Sequence, residues 1–120
     1  MSSGAQKPID FDDVMIEKDF RGGRAYAQSK LAQVMFTIDL AEELAGTGVV
    51  VNALHPATYM DTGMVRRAGL TPRATVGEGA DAVMQLITSP DIGGGGYFNG
   101  LRPARANAQA YDDEARAKLR

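Results

Sequence analysis

The chain has no cysteine and no tryptophan, and a single histidine among its 120 residues. Without cysteine there is no disulfide, no thiol nucleophile and no thiolate metal site. With one histidine, a zinc centre lacks its ordinary ligands. No apolar run approaches the roughly 20 residues needed to span a bilayer. Residues 1–20 hold four aspartates where a signal peptide would have an apolar core. Basic runs and low-complexity tracts are missing as well. A net charge of −2, from interspersed acids and bases, gives no reason to expect nucleic acid or an acidic membrane surface as a partner. The expectation is a cytoplasmic protein with no membrane or nucleic-acid partner, and 120 residues suffice for one domain with a modest core.

What the chain does have is Tyr26-Ala-Gln-Ser-Lys30, a phenol and an ammonium four residues apart at the start of an amphipathic segment. Residues at that spacing share a helix face. A neighbouring cation favours phenolate, the form a tyrosine needs for proton transfer near neutral pH. Read alone, the pair is equally a solvated coincidence on a first helical turn.

Periodicity and punctuation organise the rest. Residues 1–23 are polar and irregular, with Pro8, an acidic cluster at Asp10, Asp12 and Asp13, and a break at Gly22-Gly23. From about Arg24 to Ala45 the pattern is helical. Ala27, Leu31, Val34, Met35, Ile38, Ala41 and Ala45 form one apolar stripe, and Phe36, Leu40 and Leu44 form a second. A helix apolar on two sides is expected to be buried on two sides, one against a sheet and one against a second subunit or another part of the fold. Gly46-Thr47-Gly48 should end it.

Val49-Val-Val-Asn-Ala-Leu54 reads as a strand covered on both faces, stopped by Pro56. Residues 56–74 read as a loop with a short helical piece near Met64 to Ala68. Thr75-Val-Gly-Glu78 has the form of a capping box. It opens a helix whose inner face should hold Ala80, Val83, Met84 and Ile87, closed by Ser89-Pro90. After Gly93–Gly96, Tyr97-Phe98-Asn99 reads as a short last strand, and Tyr111 to Arg120 as the beginning of a helix. Helix, buried strand, loop, helix, strand is the rhythm of an α/β doubly wound domain with a parallel sheet. Two short strands are too few to make a stable sheet between helical layers, so residues 1–120 are expected to be a single, truncated domain.

Ser2-Ser3 upstream, Tyr26-x-x-Ser29-Lys30 on a helix and Val50-Val-Asn-Ala-Leu-His-Pro56 together resemble the second half of a short-chain dehydrogenase/reductase, of the retinol-dehydrogenase-like branch. The resemblance covers nearly the whole chain. It implies a partial Rossmann-like fold and hydride transfer between NAD or NADP and a small alcohol or carbonyl substrate. It makes Tyr26 the general acid or base, and Lys30 the group that lowers the Tyr26 pKa and binds the nicotinamide ribose. Ser3 then holds the substrate oxygen, the alternative for Ser3 being a loose terminus without a strand to fix it. Pro56-Ala57 stands where family members have Pro-Gly beside the nicotinamide, and alanine adds a Cβ there. Thr62 is the candidate threonine for the carboxamide, although Asp61 occupies the commoner spacing. His55 reads as a strand-end residue. Met60 and Met64 read equally as part of a substrate-covering loop or as ordinary packing. The Gly93–Gly96 run is no phosphate loop, because it follows a helix and precedes a strand.

The glycine-rich turn and most of the cofactor-binding half have no counterpart here, so a truncated piece that binds dinucleotide poorly is expected. Two function classes follow. One is an NAD(P)-dependent oxidoreductase with Tyr26, Lys30 and Ser3 as its catalytic groups. The other is a non-catalytic fragment whose helix at 24–45 serves homo-oligomerisation.

Overall fold

The computed structural model describes residues 2–17, 22–89 and 92–119. The stop expected at Pro90, and Arg120 at the end of the expected C-terminal helix, lie outside them. Helix α1 spans Gly22–Glu43. It begins two residues before the expected Arg24, so the glycine pair forms its first turn and not a break. Past its end, Gly46 and Gly48 take φ of +82° and +85°, a conformation that glycine adopts without a Cβ clash. Strand β1 is Ala53–His55, helix α2 Gly63–Arg67 and helix α3 Val76–Thr88. Strands β2 (Tyr97–Asn99) and β3 (Arg102–Ala104) follow, then a 3-10 turn at Ala108–Tyr111 and helix α4 at Asp113–Leu119.

The sheet order is β1-β2-β3, with β1 parallel to β2 and β3 antiparallel to β2. It is a small mixed sheet within a partial Rossmann-like α/β fold. Alternation along the strands decides the layers. The Ala53↔Tyr97 pair turns to one face, into a core with Leu31, Val34 and Met35 of α1 and Ala110 and Ala115 near the C-terminus. The Leu54↔Phe98 pair turns to the other, against Ala82 of α3 with Val83 and Leu86 beside it. Leu31, Val34 and Met35 are the largest fully buried side chains, and burying a side chain of that size contributes about 2 kcal/mol.

Three expectations are corrected. The strand at 49–54 is ordered only from Ala53, and Val49 and Val50 are each 55% exposed. The neighbouring backbone reaches back no further than Val51, whose carbonyl accepts from Gly95 N; the two valines lie before the ladder. On α3 the inner face is Gly79 and Ala82, with Val83 and Leu86 partly covered, while Met84 and Ile87 stand exposed. Small residues face inward because Met60 and Phe98 already occupy the space that larger ones would need. The third correction is that Tyr97–Asn99 is not the last strand, since β3 follows it. All three of its residues are exposed, and Pro103 is tolerated because β3 pairs on one side only.

The capping box is as expected: Thr75 Oγ1 accepts from Glu78 N at 3.1 Å, and Glu78 Oε1 accepts from Thr75 N at 3.5 Å. Among the described residues no helix is long and apolar enough to cross a membrane, and no group of three or more His, Cys, Asp or Glu is placed to hold a metal ion.

Candidate active site

Tyr26 and Lys30 lie in the first two turns of α1. The Lys30 Nζ sits 5.5 Å from the Tyr26 ring centroid and donates to Gln33 Oε1 over 3.4 Å. Tyr26 is 42% exposed, which leaves its ring open to a ligand. One face of the helix enters the core through Ala27 and Leu31, and this sets the direction in which Tyr26 and Lys30 look outward.

The serine pair is not a loose end. Ser2 N donates to Leu54 O on the edge of β1 opposite β2, and Ser2 Oγ donates to Lys30 O at 3.2 Å. Lys7 N reaches Ala27 O at 3.3 Å. The segment therefore runs back along α1 toward its N-terminus, past the turn that carries Tyr26. The Ser3 carbonyl accepts from the Tyr97 hydroxyl at 3.0 Å and from Gln6 Nε2 at 2.7 Å. Further along, Gln109 grips Ile9 through both its backbone groups, and Asn107 N donates to Gln6 Oε1. Ser2 and Ser3 are both buried. Ser3 Oγ accepts from Ala5 N at 3.0 Å, which leaves its own proton to donate.

Next to this segment stands the end of β1. The backbone of Gly4 lies against the imidazole of His55, close enough that a Cβ on Gly4 would sit 3.6 Å from the ring. His55 Nε2 and Thr58 Oγ1 share a hydrogen bond of 3.1 Å. Burial holds the His55 pKa below its usual range, so the neutral ring is favoured. Burial likewise pushes the Tyr97 phenol up, in keeping with its role as donor to Ser3 O.

Pro56 is buried and Ala57 half-buried at the strand end. Thr62 serves locally as the N-cap of α2, where its hydroxyl accepts from Val65 N at 3.4 Å. Asp61 pairs with Arg66, and that hydrogen bond holds its carboxyl below the usual range. The thioether of Met60 packs on Gly79, and Met64 is exposed. The loop closes on itself at its base: Arg73 N donates to Tyr59 O at 2.8 Å, and the Arg73 guanidinium lies 5.3 Å from the Tyr59 ring centroid. Tyr59 is held there at φ +47°, a conformation rare for a residue with a Cβ.

The structure thus brings the Ser3 segment, the Tyr26–Lys30 turn and the Pro56-Ala57 strand end onto neighbouring backbone, and places Thr62 on the loop that follows. Sequence reasoning missed Tyr97 and Gln6, which hold Ser3, and the charged side chains beyond the ends of β1 and β2. For the latter a signal existed: in open α/β sheets, ligands bind outside the carboxyl ends of the strands, and Arg102 follows the end of β2 at Asn99. For Tyr97 no local signal exists.

Comparison with known proteins agrees with this architecture. The family model of the short chain dehydrogenases matches residues 14–72. Over 92% of its length the chain is 32% identical to retinol dehydrogenase 14 and 34% identical to retinol dehydrogenase 13, both of Mus musculus, covering 37% and 38% of those proteins. Over 62 residues it is 45% identical to retinol dehydrogenase 12 of Homo sapiens. The chain therefore belongs to the short-chain dehydrogenase/reductase family, on its retinol-dehydrogenase-like side. It spans less than two-fifths of the length of the two mouse relatives. The crystal structure of an uncharacterized protein from Mycobacterium paratuberculosis superposes with a TM-score of 0.66 at 24% identity, over 98% of this chain and 45% of that one, in accord with the fold.

Proposed function

We propose that the chain carries the proton-transfer side of an NAD(P)-linked oxidoreductase acting on an alcohol or carbonyl. The observation that supports it best is the strapping of the Ser2-Ser3 segment onto the helix turn that presents Tyr26 and Lys30, through Ser2 Oγ and Lys30 O.

In this reading Tyr26 exchanges a proton with the substrate oxygen. The Lys30 ammonium favours the phenolate by its positive charge. Ser3 donates its remaining hydroxyl proton to the same substrate oxygen and stabilises the charge that develops there. Ala5 N occupies one lone pair of Ser3 Oγ, and the hydroxyl proton remains for the substrate oxygen.

The residues fit the nicotinamide end of a dinucleotide. The Lys30 ammonium suits a ribose diol, the Pro56-Ala57 backbone stands at the strand end, and Thr62 Oγ1, accepting from Val65 N, keeps a proton for a carboxamide oxygen. NAD or NADP, when bound, supplies hydride exchange at the substrate carbon. Among the described residues, no glycine-rich turn joins a strand to a following helix; Gly93–Gly96 comes after α3 and before β2. Weak dinucleotide affinity is therefore expected of this chain alone. The relatives' name makes retinol the first alcohol to try. A cytoplasmic location belongs to the same reading and is open to cell fractionation.

The test is a titration of the 120-residue chain with NADH and NADPH, followed by nicotinamide fluorescence. Saturable binding, with turnover that disappears in Tyr26→Phe, supports the enzyme. No binding at millimolar cofactor sinks catalytic competence for this chain.

A second reading, homo-oligomerisation through the helix at 24–45, is favoured by one observation. Phe36 is 63% exposed and lines, with Leu40 and Leu119, an open groove of about 220 Å³ between α1 and α4. Sedimentation of the wild-type chain and Phe36→Glu tests it: a monomer in both discards the reading.

A further inference from the structure

Two residues 101 apart in sequence meet beside Ser3. Asn107 N donates to Gln6 Oε1 at 2.8 Å, and Gln6 Nε2 donates to the Ser3 carbonyl at 2.7 Å. We infer that Gln6 is a positioning residue for the reaction, through which the C-terminal turn that opens at Asn107 sets the place of the Ser3 hydroxyl. The inference rests on the oxidoreductase reading and adds to it a residue and a segment that Tyr26, Lys30 and Ser3 leave out.

The Ser3 carbonyl already has the Tyr97 hydroxyl as a donor. Gln6 is therefore not needed to keep a buried acceptor from going unpaired. A carbonyl offers two lone pairs. With one taken from β2 and the other from Gln6, the peptide plane between Ser3 and Gly4 is fixed in orientation and not merely tethered. In the next peptide group Ala5 N donates to Ser3 Oγ at 3.0 Å, so the hydroxyl oxygen follows that plane.

A long side chain positions its neighbour only if it is itself held. Gln6 is half-buried, and both ends of its amide are engaged. Asn107 is anchored in turn. Its Oδ1 accepts from Gln109 N at 3.1 Å to cap the 3-10 turn, and the Gln109 amide clasps both backbone groups of Ile9. Ala110 O accepts from Arg116, which pairs with Asp39 of α1. That helix carries Tyr26 and Lys30. The clasp thus refers Ser3 to the same helix as its two proposed partners, by a route separate from the bond between Ser2 Oγ and Lys30 O. A misplacement of about 1 Å between reacting groups can cost about a hundredfold in rate, which makes a second anchor consequential.

The test uses the full chain and three variants. Asn107 has φ −54°, close to the angle proline fixes, so Asn107→Pro removes the N–H bonded to Gln6 without demanding a new φ. Asn107→Ala is its reference, since it loses the same cap and keeps the N–H. Gln6→Glu is independent of both: it keeps an acceptor for Asn107 N and puts an oxygen where Ser3 O had a donor. In isotope-labelled chains the Ala5 amide reports Ser3 Oγ. Its resonance should move, and its exchange quicken by about tenfold, in Asn107→Pro and Gln6→Glu but not in Asn107→Ala. With retinol and NAD or NADP, kcat and kcat/KM should fall together by about tenfold in the same two variants, with KM steady, as for a contact that counts when charge develops on the substrate oxygen. An unmoved Ala5 amide, unchanged kcat, or a loss confined to KM overturns the inference. Equal effects of Asn107→Ala and Asn107→Pro overturn it too, placing the effect in the cap. Should Asn107→Pro fail to fold, Gln6→Glu decides. A wild-type chain without turnover sinks the oxidoreductase reading alone; the Ala5 amide, read without cofactor, then decides whether the C-terminal turn positions Ser3.

Discussion

The Tyr97 hydroxyl donates to the Ser3 carbonyl over 3.0 Å, across 94 residues of sequence. It ties β2 to the segment whose serine faces the proposed chemistry, and it does so from inside the fold, where Tyr97 is buried. A serine near the start of a chain is thereby positioned like one held in a strand.

Tyr97→Phe keeps the ring in the core and removes that donor. The Ser3 carbonyl retains Gln6 Nε2, so the stability loss should be modest, about 1 kcal/mol. Amide exchange at residues 2–7 should rise more than exchange in α1. Uniform acceleration across the chain would mean that Tyr97 supports the fold as a whole and not the Ser3 segment in particular.

Tyr26→Phe and Lys30→Met should each lower turnover by about a hundredfold or more, the usual scale of a lost proton-transfer group. Thermal stability should hardly change, because Tyr26 is exposed and its hydroxyl makes no hydrogen bond among the described residues. A Tyr26→Phe variant with wild-type turnover would remove Tyr26 from the mechanism.

Arg116 is buried near the C-terminus, its side chain 7% exposed, with Asp39 Oδ1 and Ala110 O each 2.8 Å from its nitrogens. It fastens α4 to α1. Arg116→Ala should cost about 3 kcal/mol, because a largely buried carboxylate loses its countercharge. Adding Asp39→Leu should recover part of the loss. Urea denaturation of the two variants measures both, and no recovery in the double variant would place the energy in packing instead of charge.

His55 links stability to pH. Its folded pKa is lowered by burial, so the native state resists the proton that the unfolded chain accepts near 6.5. Its contribution is complete above pH 6.5 and is lost as pH falls below that value toward the folded pKa. The urea midpoint should drop between pH 7.5 and about 5.5 in the wild type and drop less in His55→Gln. Identical slopes would assign the dependence to other groups.

A methyl group on Gly79 would run into the Met60 sulfur. Gly79→Ala, a change that favours helix in isolation, should therefore destabilise by about 1–2 kcal/mol and shift the amides of residues 57–75. Stabilisation would show that Met60 yields freely.

Much of this was legible from short-range rules. The spacing of Tyr26 and Lys30, the stripe from Ala27 to Ile38, the glycines after α1 and the Thr75–Glu78 box all act within a turn or two of backbone, so neighbours in sequence suffice to specify them. The inner face of α3 was misread because hydrophobicity alone favoured Met84 and Ile87, whereas the space left by Met60 and Phe98 admits only Gly79 and Ala82. The burial of Arg116 has no local signal, because Asp39, 77 residues away, is invisible to any local pattern.

The sequence by itself determined the long helix, the Thr75–Glu78 cap and the side chains available at Tyr26, Lys30 and Ser3, since each depends on periodicity and side-chain type. The tertiary structure alone decided that Ser3 is held, by Tyr97 and Gln6, and that Arg116 is buried against Asp39. Those outcomes depend on which distant groups become neighbours when the sheet forms and its two faces are covered, and no local pattern encodes them.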